Sequence, residues 1–289
     1  MSARKDRVGL GWRPDLAASI LEYLDSIDLL EVIADDFFDG SRRERRALKT
    51  LSSQIPVVLH GVGLGLAGCE SVQTKILDKM ARLFDEVRPE FWSEHLAFVR
   101  AGGFEIGHLA APPRTAQNVE AAAENLCRAT SVVGSKPLME NIATLLDPPG
   151  STLSEPAWVS AILEAVDCNS LLDLHNVYAN ALNHGYDARE FLKEIPISRV
   201  CAIHIAGGQL ISAPDGTTRL LDDHLHDVPD PVFDLLEEIA ARSPHPLTVI
   251  LERDGAYPPM SQLLAQIQRA RLCLERGRAR HTASKARVA

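Results

Sequence analysis

Pro56-Val57-Val58-Leu59-His60-Gly61 is a strand-length apolar run that ends on an imidazole and a glycine. It lacks polar alternation, so both of its faces are expected to be buried, as in the parallel sheet of an α/β protein. Runs of the same kind lie on either side of it. Val8-Gly9-Leu10-Gly11 and residues 29–34 precede it; residues 90–96, 137–141, 170–174, 200–206 and 247–252 follow. Longer amphipathic stretches fill the gaps at 15–23, 72–84, 116–133, 155–166, 230–241 and 260–275. Strand and helix in alternation indicate parallel strands, and about eight such units predict a closed (β/α)8 TIM-type barrel.

The chain has 289 residues, which suits one barrel domain over residues 1–275. Residues 276–289 are basic and without apolar periodicity, and are expected to be a disordered tail. Two stretches rich in glycine and proline, 100–113 and 207–231, read as long functional loops. The formal net charge of -9 argues against a sequence-independent grip on nucleic acid, which needs a basic surface. No apolar run reaches the roughly 18 residues that span a bilayer, so no membrane association is expected. The first thirteen residues lack the apolar segment of a signal peptide. Five cysteines, none in a CxxC spacing, argue against a disulfide framework and fit the cytoplasm.

The chemistry lies at the ends of the strands. Successive runs end in His60, Glu94-His95, Glu140-Asn141, Asp173-Leu174-His175-Asn176, His204 and Glu252. In a barrel these ends converge on the face where active sites are built. A lone histidine there is more often a hydrogen-bonded core residue, and a lone carboxylate a helix cap or half of an ion pair. Six consecutive ends bearing such groups would repel one another unless cations sat among them. Mixed imidazole and carboxylate suits Fe, Mn, Zn or Co better than Ca2+ or Mg2+. The donors exceed the needs of one ion. Glu140, in the middle of the set, is the candidate bridge between two or three. The segment Asp222-Asp223-His224-Leu225-His226-Asp227 could add ligands from a loop, its bland alternative being a solvated acidic turn.

These residues carry a family resemblance. His60-Gly61-Val62-Gly63-Leu64, Ser93-Glu94-His95-Leu96-Ala97, Met139-Glu140-Asn141, Leu172-Asp173-Leu174-His175-Asn176-Val177-Tyr178, Asn183-His184-Gly185, Ile203-His204-Ile205-Ala206-Gly207 and Asp222-Asp223-His224 together resemble the DUF692 family. Its members are multinuclear non-haem iron-dependent oxidases that act on ribosomally made peptides, and the likeness runs over residues 8–254. It implies a barrel holding two or three irons (Fe2+/Fe3+) on His60, His95, Glu140, Asp173, Asn176, His204, Asp222, His224 and Glu252. It also implies O2 as co-substrate and a peptide substrate modified at a cysteine. One iron would take the substrate thiolate and another would reduce O2, and a separate partner protein often presents the peptide.

The sequence departs from the family pattern on the expected substrate side. His175 replaces a frequent Asn, Leu225 a frequent Asp, Gly208 a common His, and Asp35-Asp36 a usual Glu-Asn. Asp35, Asp36, His175 and His184 are therefore the candidates for facing the substrate. The rival reading is a divalent-metal isomerase or hydrolase of the xylose-isomerase and endonuclease-IV-like barrel class, in which metals polarise a carbonyl or activate water. A third is a metal- or partner-binding protein that has lost its chemistry.

Overall fold

The computed structural model describes residues 5–212 and 216–288, with side chains to residue 282. The expectation about a signal peptide falls partly on residues 1–4, and part of the 207–231 loop on 213–215; these lie outside the described residues.

The elements in chain order are β1 (Arg7–Gly11), α1 (Ala17–Glu22), β2 (Leu30–Ile33), α2 (Asp35–Phe38), α3 (Arg42–Ser52), β3 (Val57–Gly61), α4 (Thr74–Val87), β4 (Trp92–His95), β5 (Phe98–Ala101), β6 (Phe104–Ala110) and α5 (Ala116–Val133). They continue with β7 (Leu138–Glu140), α6 (Glu155–Ala165), β8 (Ser170–Asp173), α7 (Leu174–His184), α8 (Ala188–Glu194), β9 (Val200–Ile205), β10 (Gln209–Ser212), β11 (Thr218–Leu221), α9 (Asp230–Arg242), β12 (Thr248–Leu251) and α10 (Met260–Val288). Eight strands close a parallel barrel in the order β1-β12-β9-β8-β7-β4-β3-β2. Every residue of β3, β8 and β12 is buried, because helices cover one face and barrel side chains the other.

Side chains alternate along a strand, so the barrel interior is filled in layers two residues apart. Its lower layer is apolar: Leu29, Val58 and Ile250 pack together with Phe91, as do Leu138, Leu171 and Ala202. Two residues further along six of these strands stand Glu31, His60, Glu140, Asp173, His204 and Glu252, all buried. A greasy plug therefore floors a polar upper layer. On β1 the inward position is Gly9, where a Cβ would lie 2.6 Å from the Leu29 carbonyl oxygen and 2.7 Å from Leu29 Cγ. Gly9→Ala is expected to cost about 1–3 kcal/mol, since the obstacle is backbone. Urea denaturation measures this, and an unchanged midpoint would refute the close approach.

Both long loops prove to be partly strand. Residues 98–110 form an antiparallel hairpin turning at Gly102 and Gly103, whose φ of 59° and 80° suits glycine. Strands β10 and β11 form a second hairpin. The basic tail is also corrected, because α10 continues unbroken from Met260 to Val288. Arg276 and Arg280, one turn apart, both pair with Glu237 on α9, at 2.6 and 3.0 Å. Arg278 reaches Asp6 and the carbonyl oxygens of Ala240, Ser243 and His245. The basic side chains thus meet acidic and carbonyl partners, which the absence of apolar periodicity did not reveal.

Candidate metal centre

Strand ends deliver the polar layer to one mouth of the barrel. Strand β4 adds Ser93 and His95, and β8 runs straight into α7 with Asp173 as its N-cap. Asp173 Oδ1 accepts the Asn176 backbone N–H at 2.7 Å. This turn places Asn176 over the mouth, with its side-chain amide donating to the Asn141 carbonyl at 3.0 Å.

The donor atoms fall into three groups that could each hold an ion: Glu31, His60 and His204; His60, His95 and Glu140; and Glu140, Asp173, His204 and Glu252. Glu140 belongs to two of them. Its Oε2 is 3.5 Å from His60 Nε2 and 3.6 Å from His95 Nε2, while its Oε1 is 3.2 Å from His204 Nδ1. Glu31, in the middle of β2, is a member that the reading of strand ends missed. Its Oε2 lies 2.8 Å from His204 Nε2.

The test of whether these residues fit a metal is their hydrogen bonding. Buried polar atoms are almost always paired. Here Glu31 Oε1, His95 Nδ1, Glu140 Oε2, Asp173 Oδ2, His175 Nε2, Asn176 Oδ1, His224 Nε2 and Glu252 Oε2 are all buried without a hydrogen-bond partner. Four of these atoms nevertheless have an ionisable neighbour within 4 Å: Glu140 Oε2 as above, His95 Nδ1 at 3.5 Å from Glu94 Oε1, and two that are closer. Glu252 Oε2 is 2.9 Å from His204 Nδ1, and His224 Nε2 is 2.8 Å from Asp222 Oδ1. Glu140, Asp173 and Glu252, each with an unpaired buried oxygen, belong to one donor group, and such oxygens are what a cation needs, so these residues fit.

The protein groups also carry strong mutual fields. Burial pushes the Asp173 carboxyl well above the carboxylate range, and the charges of Glu140, Asp222 and Glu252 push it further. Burial likewise raises Glu31, against the pull of His204. For Glu252 burial is outweighed by His204 and His224, which hold it well below its ordinary value. Burial opposes charge on His95, yet Glu140 and Glu94 lift it to about 9. His60 goes the other way, depressed by burial and then by His95 and His204.

The loop candidates Asp222 and His224 lie outside the three donor groups but beside them, with His224 Nδ1 3.9 Å from Glu252 Oε2. His224 has a left-handed backbone, φ 53°, and its Nδ1 is 3.0 Å from Asp254 Oδ2. Arg13, which follows β1, completes this side by donating to Asp254 Oδ1 at 2.8 Å. Asp222 Oδ1 lies 2.8 Å from His175 Nδ1, so one carboxylate oxygen touches two imidazoles. Burial opposes ionisation of Asp222, but His224 and the bond from His175 hold it below the carboxylate range. A Cβ at Gly208 would meet His175 Nε2 at 2.9 Å, so the ring of His175 packs against the β9–β10 turn.

The remaining substrate-side candidates are placed elsewhere. Asp35 caps the turn after β3, accepting from the Val62 and Gly63 N–H groups at 2.9 and 3.0 Å, and Asp36 is exposed. His184 sits at the far end of α7, with Nε2 2.8 Å from Thr144 Oγ1. The structure therefore brings neither Asp35, Asp36 nor His184 into the cluster.

The closed parallel barrel is a TIM-barrel fold shared with several solved structures. L-ribulose 3-epimerase superposes with a TM-score of 0.63 at 13% identity, covering 96% of this chain and 98% of that one. Endonuclease IV from Thermus thermophilus gives 0.57 at 14%, covering 93% and 99%. At such identities the likeness shows the fold alone. The chain belongs to the family described as RiPP precursor modification enzyme MbnB/TglH/ChrH, which matches residues 7–275. Among curated relatives, a UPF0276 protein of Rhizorhabdus wittichii is 34% identical over 248 residues, covering 85% of this chain and 86% of that protein. One from Caulobacter vibrioides is 32% identical over 277 residues, covering 94% and 96%. Among the described residues no helix is long and apolar enough to cross a membrane.

Proposed function

We propose that this chain is a multinuclear non-haem iron enzyme that uses O2 to modify a ribosomally made peptide at a cysteine. Its two or three irons would be held by His60, His95, Glu140, Asp173, Asn176, His204, Asp222, His224 and Glu252. The observation that carries the metal reading is the double membership of Glu140, since one carboxylate can serve two cations and a neutral imidazole cannot. Mixed nitrogen and oxygen donors favour iron over the hard cations. The family's description supports a peptide as substrate.

Bound iron would supply affinity for a substrate thiolate and the electrons that reduce O2. The protein's part is to aim the ligands and shape access. Ser93 Oγ, 2.8 Å from His60 Nδ1, leaves Nε2 of that ring toward Glu140. Glu94 accepts the His95 and Leu64 backbone N–H groups, which holds the end of β4 and the turn after β3. The hairpins β5–β6 and β10–β11 frame the face over which a peptide would lie, with a separate partner protein presenting it.

Anaerobic purification followed by metal analysis and an oxygen electrode tests the reading. Iron, with O2 uptake dependent on a cysteine-containing precursor peptide, is the expected result. Zinc or manganese without oxygen uptake, or weak metal occupancy, would overturn it. Within the site, Asn176→Ala is expected to lower the ions bound per chain, because its buried Oδ1 has no hydrogen-bond partner. His175→Ala should leave the count unchanged, because that ring holds Asp222 through Nδ1. The opposite pattern in metal analysis would exchange their roles.

A further inference from the structure

We infer that Glu31 is a positioning residue of the metal centre: its carboxylate takes the Nε2–H of His204 and so turns Nδ1 of that ring toward Glu140, Asp173 and Glu252. The inference rests on the metal-centre reading above and adds a residue and a ligand atom to it.

Four observations carry it. Glu31 occupies the polar layer of the barrel, two residues beyond Leu29 of the apolar plug, as His204 lies two beyond Ala202. It is fully buried, where a carboxylate is costly unless it serves a partner. Its Oε2 is 2.8 Å from His204 Nε2. The other nitrogen, Nδ1, is 2.9 Å from Glu252 Oε2 and 3.2 Å from Glu140 Oε1.

A neutral imidazole has one nitrogen for a proton and one for a ligand, and the hydrogen bond at the first decides which is which. Nδ1 faces Glu140 and Glu252, which share a donor group with Asp173. Nε2 faces Glu31, whose donor group adds only His60; His60 Nε2 is also 3.5 Å from Glu140 Oε2, so that ring belongs to the neighbouring group as well. The larger donor set therefore claims Nδ1, and Glu31 fixes the opposite end of the ring as a carboxylate fixes a ligating histidine elsewhere. The competing arrangement makes Glu31 itself a ligand alongside His204 Nε2.

Zinc is a diamagnetic probe that separates these arrangements without turnover. The full chain, labelled with 15N-histidine and loaded with Zn2+, would be studied by long-range 1H–15N correlation, with His204 assigned from a His204→Gln spectrum. The expected result is a metal-bound Nδ1 and a protonated Nε2 in the unmutated protein. Glu31→Leu, which removes the acceptor at similar volume, should bind Zn2+ about 10–100-fold more weakly. Glu31→Gln keeps an acceptor oxygen and should retain the Nδ1 mode. Zinc on Nε2 of His204, or a Glu31→Leu affinity within twofold of the parent, would overturn the role given to Glu31. A parent chain that binds no zinc at this mouth would overturn the metal centre itself, and is told apart because it needs no variant. The nitrogen assignment in the parent also stands should Glu31→Leu fail to fold.

Discussion

Glu140→Gln is expected to fold normally, to bind fewer irons per chain than the parent, and to consume no oxygen with substrate. The substitution keeps volume and one acceptor oxygen but removes the negative charge and the second lone-pair set. The two donor groups that meet at Glu140 would then face each other with less compensation, and at least one ion should leave. Turnover should fall below about one hundredth of the parent, beyond the usual effect of disturbing a residue outside the ligand shell. The fold should survive, because the Leu29, Val58, Ile250 plug and the helix-covered strands supply its apolar burial without help from the site. Metal analysis, far-ultraviolet circular dichroism and an oxygen electrode read the three parts separately. Full iron with full turnover would show that Glu140 is not the bridge, and loss of the fold would make it a structural carboxylate.

Removing the metal should make stability depend on pH between about 6.5 and 9. Burial opposes charge on His95, but Glu140 and Glu94 lift its pKa from 6.5 to about 9, and His204 and His224 are raised in the same direction. A histidine whose folded pKa stands above its unfolded value stabilises the fold fully below the unfolded pKa. That stabilisation is lost as pH rises through the folded pKa. The sign is therefore a loss toward alkaline pH, of roughly 3 kcal/mol from His95 alone at about 1.4 kcal/mol per unit. Asp173, its pKa raised by burial and its acidic neighbours, adds to the loss in the same direction. Bound cations replace those protons, so the loaded protein should show a shallower slope. Denaturant titrations of chelator-treated protein at pH 6.5 and 9 measure the difference, and equal stabilities would refute the raised values.

The barrel was legible because about eight apolar runs without polar alternation take turns with amphipathic stretches, and the site because six of those runs carry a polar group at or near the end. Helix α5 was found at its full extent, residues 116–133, since amphipathic period and a Thr115 cap agree there. Glu31 escaped notice because it lies inside its run and not at the end. Its signal was present all the same: it follows Leu29 by two residues, as His60 follows Val58 and Glu252 follows Ile250. Helix α7 was hidden by its composition, Leu-His-Asn-Val-Tyr-Ala-Asn-Ala-Leu-Asn-His, whose asparagines look like a loop. In the fold those side chains are spent on buried backbone: Asn180 donates to the Ile142 carbonyl, and Asn183 to those of Thr144 and Leu220. The hairpins were read as loops because their strands are exposed and carry little apolar alternation.

The ring of parallel strands also sets the order in which the site can assemble. Glu31 and His204 are 173 residues apart in sequence, and Glu140 is 64 from His204, so no short segment carries a complete donor group. Contacts of such separation form late and slowly, because loop closure must precede them. An unfolded chain of this kind offers a cation at most the local run Asp222-Asp223-His224-Leu225-His226-Asp227, and no complete donor group. Its refolding rate should therefore be indifferent to zinc concentration, while unfolding slows as the ion is added, which places metal capture after the last strand has closed the circle.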